Sequence, residues 1–115
     1  MEDKLIELLK TLCNDVVQQG SLPNEEDWPA DFFTFWERPS YDGSHYDNES
    51  VSCVYEYDIN FYSTEPANPY EYIKKAKKLL KQNGFIVSGN GYPISSGADT
   101  HTGRQIQVKY LEMEV

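Results

Sequence analysis

From Val51 to Tyr62 the chain alternates between hydrophobic and polar residues. Val51, Cys53, Tyr55, Tyr57, Ile59 and Phe61 form one apolar row. Ser52, Glu56, Asp58 and Asn60 form the other, with Val54 and Tyr62 as exceptions. A period of two over this length predicts an antiparallel strand with one buried face and one polar face. A different period governs the first twenty residues, where Leu5, Leu8, Leu9, Leu12, Val16 and Val17 recur at three- and four-residue spacing. This predicts a helix over "EDKLIELLKTLCNDVVQQG", closed by Gly20 in a left-handed cap. A second helix is predicted over "NPYEYIKKAKKLLKQNG", with Asn68 as N-cap, Pro69 at the first helical position, Glu71 at the third and Gly84 at the end.

The remaining runs have strand composition: "FFTFWER", "FIVSGNGYPIS" and "RQIQVKYLEM", the last two joined by the polar turn "SGADTHTG". "SLPNEEDWPADF", with two prolines and four acids, is a linker. Helix, strand, strand, helix, strand, strand predicts one α+β domain spanning residues 1–115. It is a two-layer sandwich in which two hairpins make a four-stranded antiparallel sheet and both helices cover one face. The expected core contains Leu5, Leu8, Leu12, Ile73, Ala76, Leu80, Tyr55, Tyr57, Ile59 and Val108. Gly89 and Gly91 read as a bulge or kink within a strand.

Charge narrows the function. Ten basic residues against nineteen acidic ones give a formal charge of −9. Proteins that displace counterions from nucleic acid or dock on anionic membranes need a cationic surface, so neither partner is expected. No run reaches the length of a membrane-spanning helix, and the first residues lack a signal peptide's apolar core. The expected location is a cytoplasm or a particle assembled there. Cys13 and Cys53 have no metal-like spacing and are expected as two buried free thiols.

Candidate chemistry is sparse. His45 lies beside Tyr41, Asp42, Ser44 and Asp47 in the tract "RPSYDGSHYDNES", but a base–nucleophile pair needs an orienting group and a closed pocket. His101 falls on the turn "DTHTGR", and two histidines alone do not specify a metal site. Asp42, Asp47 and Glu49 miss the calcium-loop spacing, and "GNGYPI" lacks the last glycine of a dinucleotide fingerprint. "NES" at Asn48 is a glycosylation sequon without meaning unless the chain is secreted. No catalytic residue, metal or cofactor is therefore expected.

The least even feature is the second helix. From Asn68 to Gly84 five lysines face one glutamate, a charge of +4, which leaves −13 for the rest of the chain. An ordinary solvated face is one reading. The other is that this basic face meets an acidic face of a neighbouring copy.

The succession of a helix, "FFTFWE", "SYDGSHYDNES", "CVYEYDINFYS", a lysine-rich helix, "GFIVSGNGYPI" and "THTGRQIQVKYLE" resembles the small tail-terminator or tail-completion proteins of siphophages and prophages of Gram-positive bacteria. The resemblance spans nearly the whole chain and rests on pattern, not on one diagnostic motif. It implies a two-layer α+β subunit that forms a ring homo-oligomer, a hexamer, on the head-proximal end of the tail tube. The implied partners are further copies, the tail tube protein and the head–tail connector protein, in the virion tail or in the host cytoplasm during assembly. Tyr41, Asp42, His45, Tyr46 and Asp47 would then be contact-loop residues, with Lys74, Lys75, Lys78 and Lys81 on a second contact surface. Three other readings stay open: another head–tail connector component, a monomeric acidic inhibitor of a basic partner, and, more distantly, a small hydrolase.

Overall fold

The computed structural model describes residues 2–18, 28–38, 51–87, 89–95 and 100–113, with side chains omitted at 2, 51–54 and 111–113. The elements are α1 (Glu2–Lys10), β1 (Val16–Gln18), β2 (Asp31–Glu37), β3 (Val51–Ser63), α2 (Asn68–Gln82), β4 (Ile86–Val87), β5 (Tyr92–Ser95) and β6 (Thr102–Met113). The sheet order is β1-β2-β3-β6-β4, and β5 also pairs with β6. β2–β3, β3–β6, β4–β6 and β5–β6 are antiparallel, whereas β1 runs parallel to β2.

The α+β sandwich is therefore present, with six strands described where the pattern predicts four. One addition is a divided strand. β4 and β5 lie end to end along β6, with Val87 opposite Val108 and Tyr92 opposite Gln105, so five steps along one strand span three along the other. The extra residues are taken up where Gly89 (φ 71°) and Gly91 (φ 76°) sit. At Gly91 a Cβ would stand 2.2 Å from the carbonyl oxygen of Gln105, so glycine is required there for space as well as for φ. This is the predicted bulge.

The other addition corrects the first helix, which ends at Lys10 instead of running on to a cap at Gly20. Thr11 N donates to Leu8 O (3.2 Å) and Leu12 N to Leu9 O (3.0 Å), tightening the last turn. Asn14 and Asp15, poor in helix interiors, follow it. The β-branched pair Val16–Val17 then extends along β2, with Val16 opposite Phe33 and Phe33 N donating to Asp15 O (2.9 Å). Leu12, Cys13 and Val16 still pack against the core, so the apolar spacing was real although its secondary structure was not.

Both helices cover one face of the sheet. Leu5 and Leu9 of α1 and Ile73, Ala76 and Leu80 of α2 are buried with Phe33, Phe35, Tyr57, Ile59, Phe61, Ile106 and Val108. Leu8, Leu12 and Tyr55, expected in the core, are only partly buried; on α1 it is Leu9 that takes the deep position beside Leu5. The end of α2 is as predicted. Phe85 N donates to Leu80 O (3.0 Å) and Gly84 N to Lys81 O (3.4 Å), with Gly84 at φ 90° and Leu80 and Phe85 both in the core. Its start differs. Asn68 does not cap the helix: Ala67 is the N-cap, and Asn68 Nδ2 donates to Asp31 Oδ1 (3.2 Å), an atom that also accepts from Ser63 Oγ.

The opposite face carries its own order. Thr34, Asn60, Gln105 and Tyr92 occupy one register row across four strands. Asn60 Nδ2 donates to Thr34 Oγ1 (3.1 Å), Gln105 Nε2 donates to Asn60 Oδ1 (2.9 Å), and Tyr92 OH donates to Gln105 Oε1. Thr34 and Asn60 are buried, and this row satisfies them.

Candidate assembly surface

The helical stripe Ile73, Ala76 and Leu80 fixes how α2 sits on the sheet, and hence where its lysines go. Lys74, Lys75, Lys78 and Lys81 are exposed and Lys77 is partly buried. Lys77 Nζ donates to Asn90 Oδ1 (3.1 Å) in the break between β4 and β5. A groove follows, lined by Lys74, Lys77, Lys78, Lys81, Gln82 and Asn90, with no carboxylate among these residues.

An aromatic head closes one end of the lysine row. Tyr70, in the first turn of α2 and 42% exposed, has Lys74 Nζ 5.2 Å from its ring centroid and Arg104 Cζ at 4.9 Å. Arg104 also donates through Nε to Asn90 O (2.9 Å) and through its terminal nitrogen to Gly91 O (3.0 Å), so the guanidinium fastens the bulge while it stacks on Tyr70. Lys75 lies apart from the groove, 4.9 Å from the Tyr72 ring.

This charge does not serve α2 itself. Lys74 and Lys78, and Lys77 and Lys81, are i,i+4 neighbours, and like-charge pairs at that spacing cost about 0.2–0.5 kcal/mol each. Only Lys81, in the last turn, gains from the helix dipole. Buried Ile73, Ala76 and Leu80 hold the helix in place against that repulsion.

The five residues of the predicted contact loop, Tyr41, Asp42, His45, Tyr46 and Asp47, lie outside the described residues. The other histidine is built into the fold. His101 Nε2 is 2.9 Å from Pro29 O, and Nδ1 is 2.8 Å from Thr100 Oγ1. A carbonyl can only accept, so Nε2 carries the proton and donates. The ring packs edge-on against Trp28 (5.3 Å) and Phe32 (5.8 Å), and Tyr62 completes this second aromatic cluster. Tyr62, an exception in the strand pattern, thus covers part of the face opposite the helices. Burial pushes its phenol pKa up, against a hydrogen bond with Thr34 that lowers it.

A second cleft, lined by residues that include Cys13, Asp15, Asp31 and Tyr72, opens where α1 ends. Cys13 is a free thiol, only partly buried, and donates weakly to the carbonyls of Asp31 (3.5 Å) and Asp15 (3.9 Å). Burial raises its pKa most, the bond to the Asp15 backbone lowers it, and the Asp15 and Asp31 carboxylates raise it further. It is a poor nucleophile at neutral pH. The Cys53 side chain lies outside the described residues. Among the described residues, no three His, Cys, Asp or Glu side chains are grouped to hold a metal ion.

The lysines are legible in the sequence, whereas the sequence expectations do not include Tyr70, Asn90 and Arg104. Tyr70 had a signal, since it precedes Lys74, Lys77 and Lys81 on one helical flank at four-, seven- and eleven-residue separations. Asn90 and Arg104 had none, because folding alone brings them to α2. No protein-family model matches the chain, and no curated protein matches it in sequence.

Proposed function

We propose that this chain is a non-enzymatic structural subunit of a phage or prophage tail, a terminator or completion protein that caps the tail tube as a hexameric ring and joins it to the head connector. The carrying observation is the exposed lysine flank of α2, which is positive, borders a groove with no carboxylate among its described lining residues, and is set in a chain otherwise at −13. Such segregation costs helix stability and is suited to meeting an acidic protein surface. The two-layer α+β fold is the one the family resemblance implies and supports the same reading. Assembly takes place in the host cytoplasm and the product is in the virion tail.

The test is co-sedimentation with purified tail tubes. Wild type is expected to bind and cap tube ends, and binding weakens as salt screens exposed charge over roughly 8–10 Å. Exposed ion pairs contribute on the order of 0–1 kcal/mol each, so Lys→Ala at one position changes little, while the fourfold change K74E/K75E/K78E/K81E lowers tube binding roughly tenfold or more. A wild-type chain that ignores tubes, stays monomeric and binds a basic protein instead overturns the reading in favour of an acidic inhibitor.

A further inference from the structure

We propose that the lysine groove of α2 receives the acidic face of α1 from a second copy of this chain, head to tail. The inference rests on the assembly reading above and names the two surfaces that meet.

The donor surface is small and defined. Asp3 and Glu7 are exposed and stand one turn apart on α1. The cation between them is turned away: Lys4 Nζ donates to Asn83 O (3.2 Å) and to Tyr110 OH (3.4 Å), and lies 4.6 Å from the Tyr110 ring centroid. The outward side of the first two turns is thus negative, and exposed Lys10, one turn after Glu7, bounds the patch. Several other described carboxylates are occupied. Glu56 pairs with Lys109 (3.3 Å), Asp58 pairs with Arg38 (3.2 Å), and Asp31 holds Ser63 and Asn68. Glu71 sits one turn from Lys74 and Lys75 on α2 itself.

The acceptor surface matches in spacing. Lys74, Lys78 and Lys81 repeat at one-turn intervals, about 5.4 Å along the axis, as do Asp3 and Glu7, so two helices laid side by side bring opposite charges into register. Backbone pairing at the nearby sheet edge is blocked. Pro93 lacks an N–H, the β4–β5 break interrupts the ladder, and Arg104 occupies the carbonyls of Asn90 and Gly91. Recognition there falls to side chains.

α1 packs against β1 and α2, α2 lies across β3, β6 and β4, and the groove opens toward Asn90. Donor and acceptor are distinct surfaces on two different helices. Joined without reciprocation, they make the heterologous contact that the proposal names, which forms a ring where the rotation closes.

A charge swap tests it, read by sedimentation velocity in low salt at high protein concentration and on tail-tube ends, with circular dichroism as the folding control. D3K/E7K alone and K74E/K78E/K81E alone are each expected to lose association tenfold or more. An equimolar mixture of the two, and the chain carrying all five changes, are expected to recover it, because every contact again joins opposite charges. Wild type that assembles while the swaps have no effect, or are not rescued, overturns this inference alone. Swap-dependent rings that ignore tail tubes overturn the tail-terminator reading alone, and wild type that neither self-associates nor binds tubes overturns both. A closed dimer as the end state overturns the head-to-tail arrangement. Binding of a single-stranded oligonucleotide that is lost in K74E/K78E/K81E and retained in D3K/E7K makes nucleic acid the occupant and overturns the proposal.

Discussion

At the scale of single residues, the chain separates two costs that glycine usually hides together. Gly89 and Gly91 share a left-handed φ, but a Cβ at Gly89 meets nothing within 4 Å, while one at Gly91 collides with the Gln105 carbonyl. Gly89→Ala is therefore expected to lose about 1–2 kcal/mol, the left-handed penalty alone. Gly91→Ala should lose that plus the steric term, roughly 3–4 kcal/mol in all. Urea unfolding of both variants checks the difference, and equal losses would show that the bulge yields freely. Cys13 gives a pH-dependent prediction. Its folded pKa is raised, so its alkylation, followed on the Cys13 peptide by mass spectrometry, should keep accelerating through the ordinary thiol range near 9.0 instead of levelling off below it. The sign for stability follows by linkage. The folded thiol holds its proton more tightly than the unfolded one, so its contribution is complete below the ordinary range and is lost as pH rises through the folded pKa.

At the scale of elements, α2 trades its own stability for surface charge. Lys78 has cationic neighbours at Lys74, Lys75 and Lys81, one turn to either side. Lys78→Glu replaces repulsion by attraction with each, and should stabilise the monomer by about 0.5–1 kcal/mol at low salt. The same change should weaken association. Thermal unfolding at low and high salt checks the first half, since the gain should shrink as salt screens it. A variant less stable than wild type would mean that the lysines already have partners. α1 shows the reverse relation between pattern and element. Its apolar spacing runs on through Val17, yet the chain leaves the helix after Lys10, because Val16 and Val17 gain a neighbour in β2 that no helix could offer them.

For the molecule as a whole, net charge and local charge respond to salt in opposite directions. At −9 the monomer repels itself, so moderate salt should raise its melting temperature. Association through α2 should weaken over the same range, because it joins opposite charges. Differential scanning fluorimetry and sedimentation on one salt series measure both. Parallel responses would remove the charge-directed contact.

Elements whose reason is local could be read from the sequence alone. β2, β3 and β6 follow from alternation and strand composition, α2 from its apolar stripe, and the α2 terminus from one glycine that tolerates φ 90°. The two-layer arrangement follows as well, since an apolar row on one sheet face and one stripe on each helix leave few ways to bury both. The lysine surface was legible because charge shows in sequence without folding. Other features depended on residues far apart in the chain. Residues 16–18 became a strand only because β2 lay beside them, and Asn68 left its helix for Asp31. His101 became a fastening for Pro29, seventy-two residues away, and Arg104 and Asn90 completed the groove. In each case a polar or β-branched group could satisfy itself locally or across the fold, and tertiary packing decided, because local propensities differ by less than one buried contact.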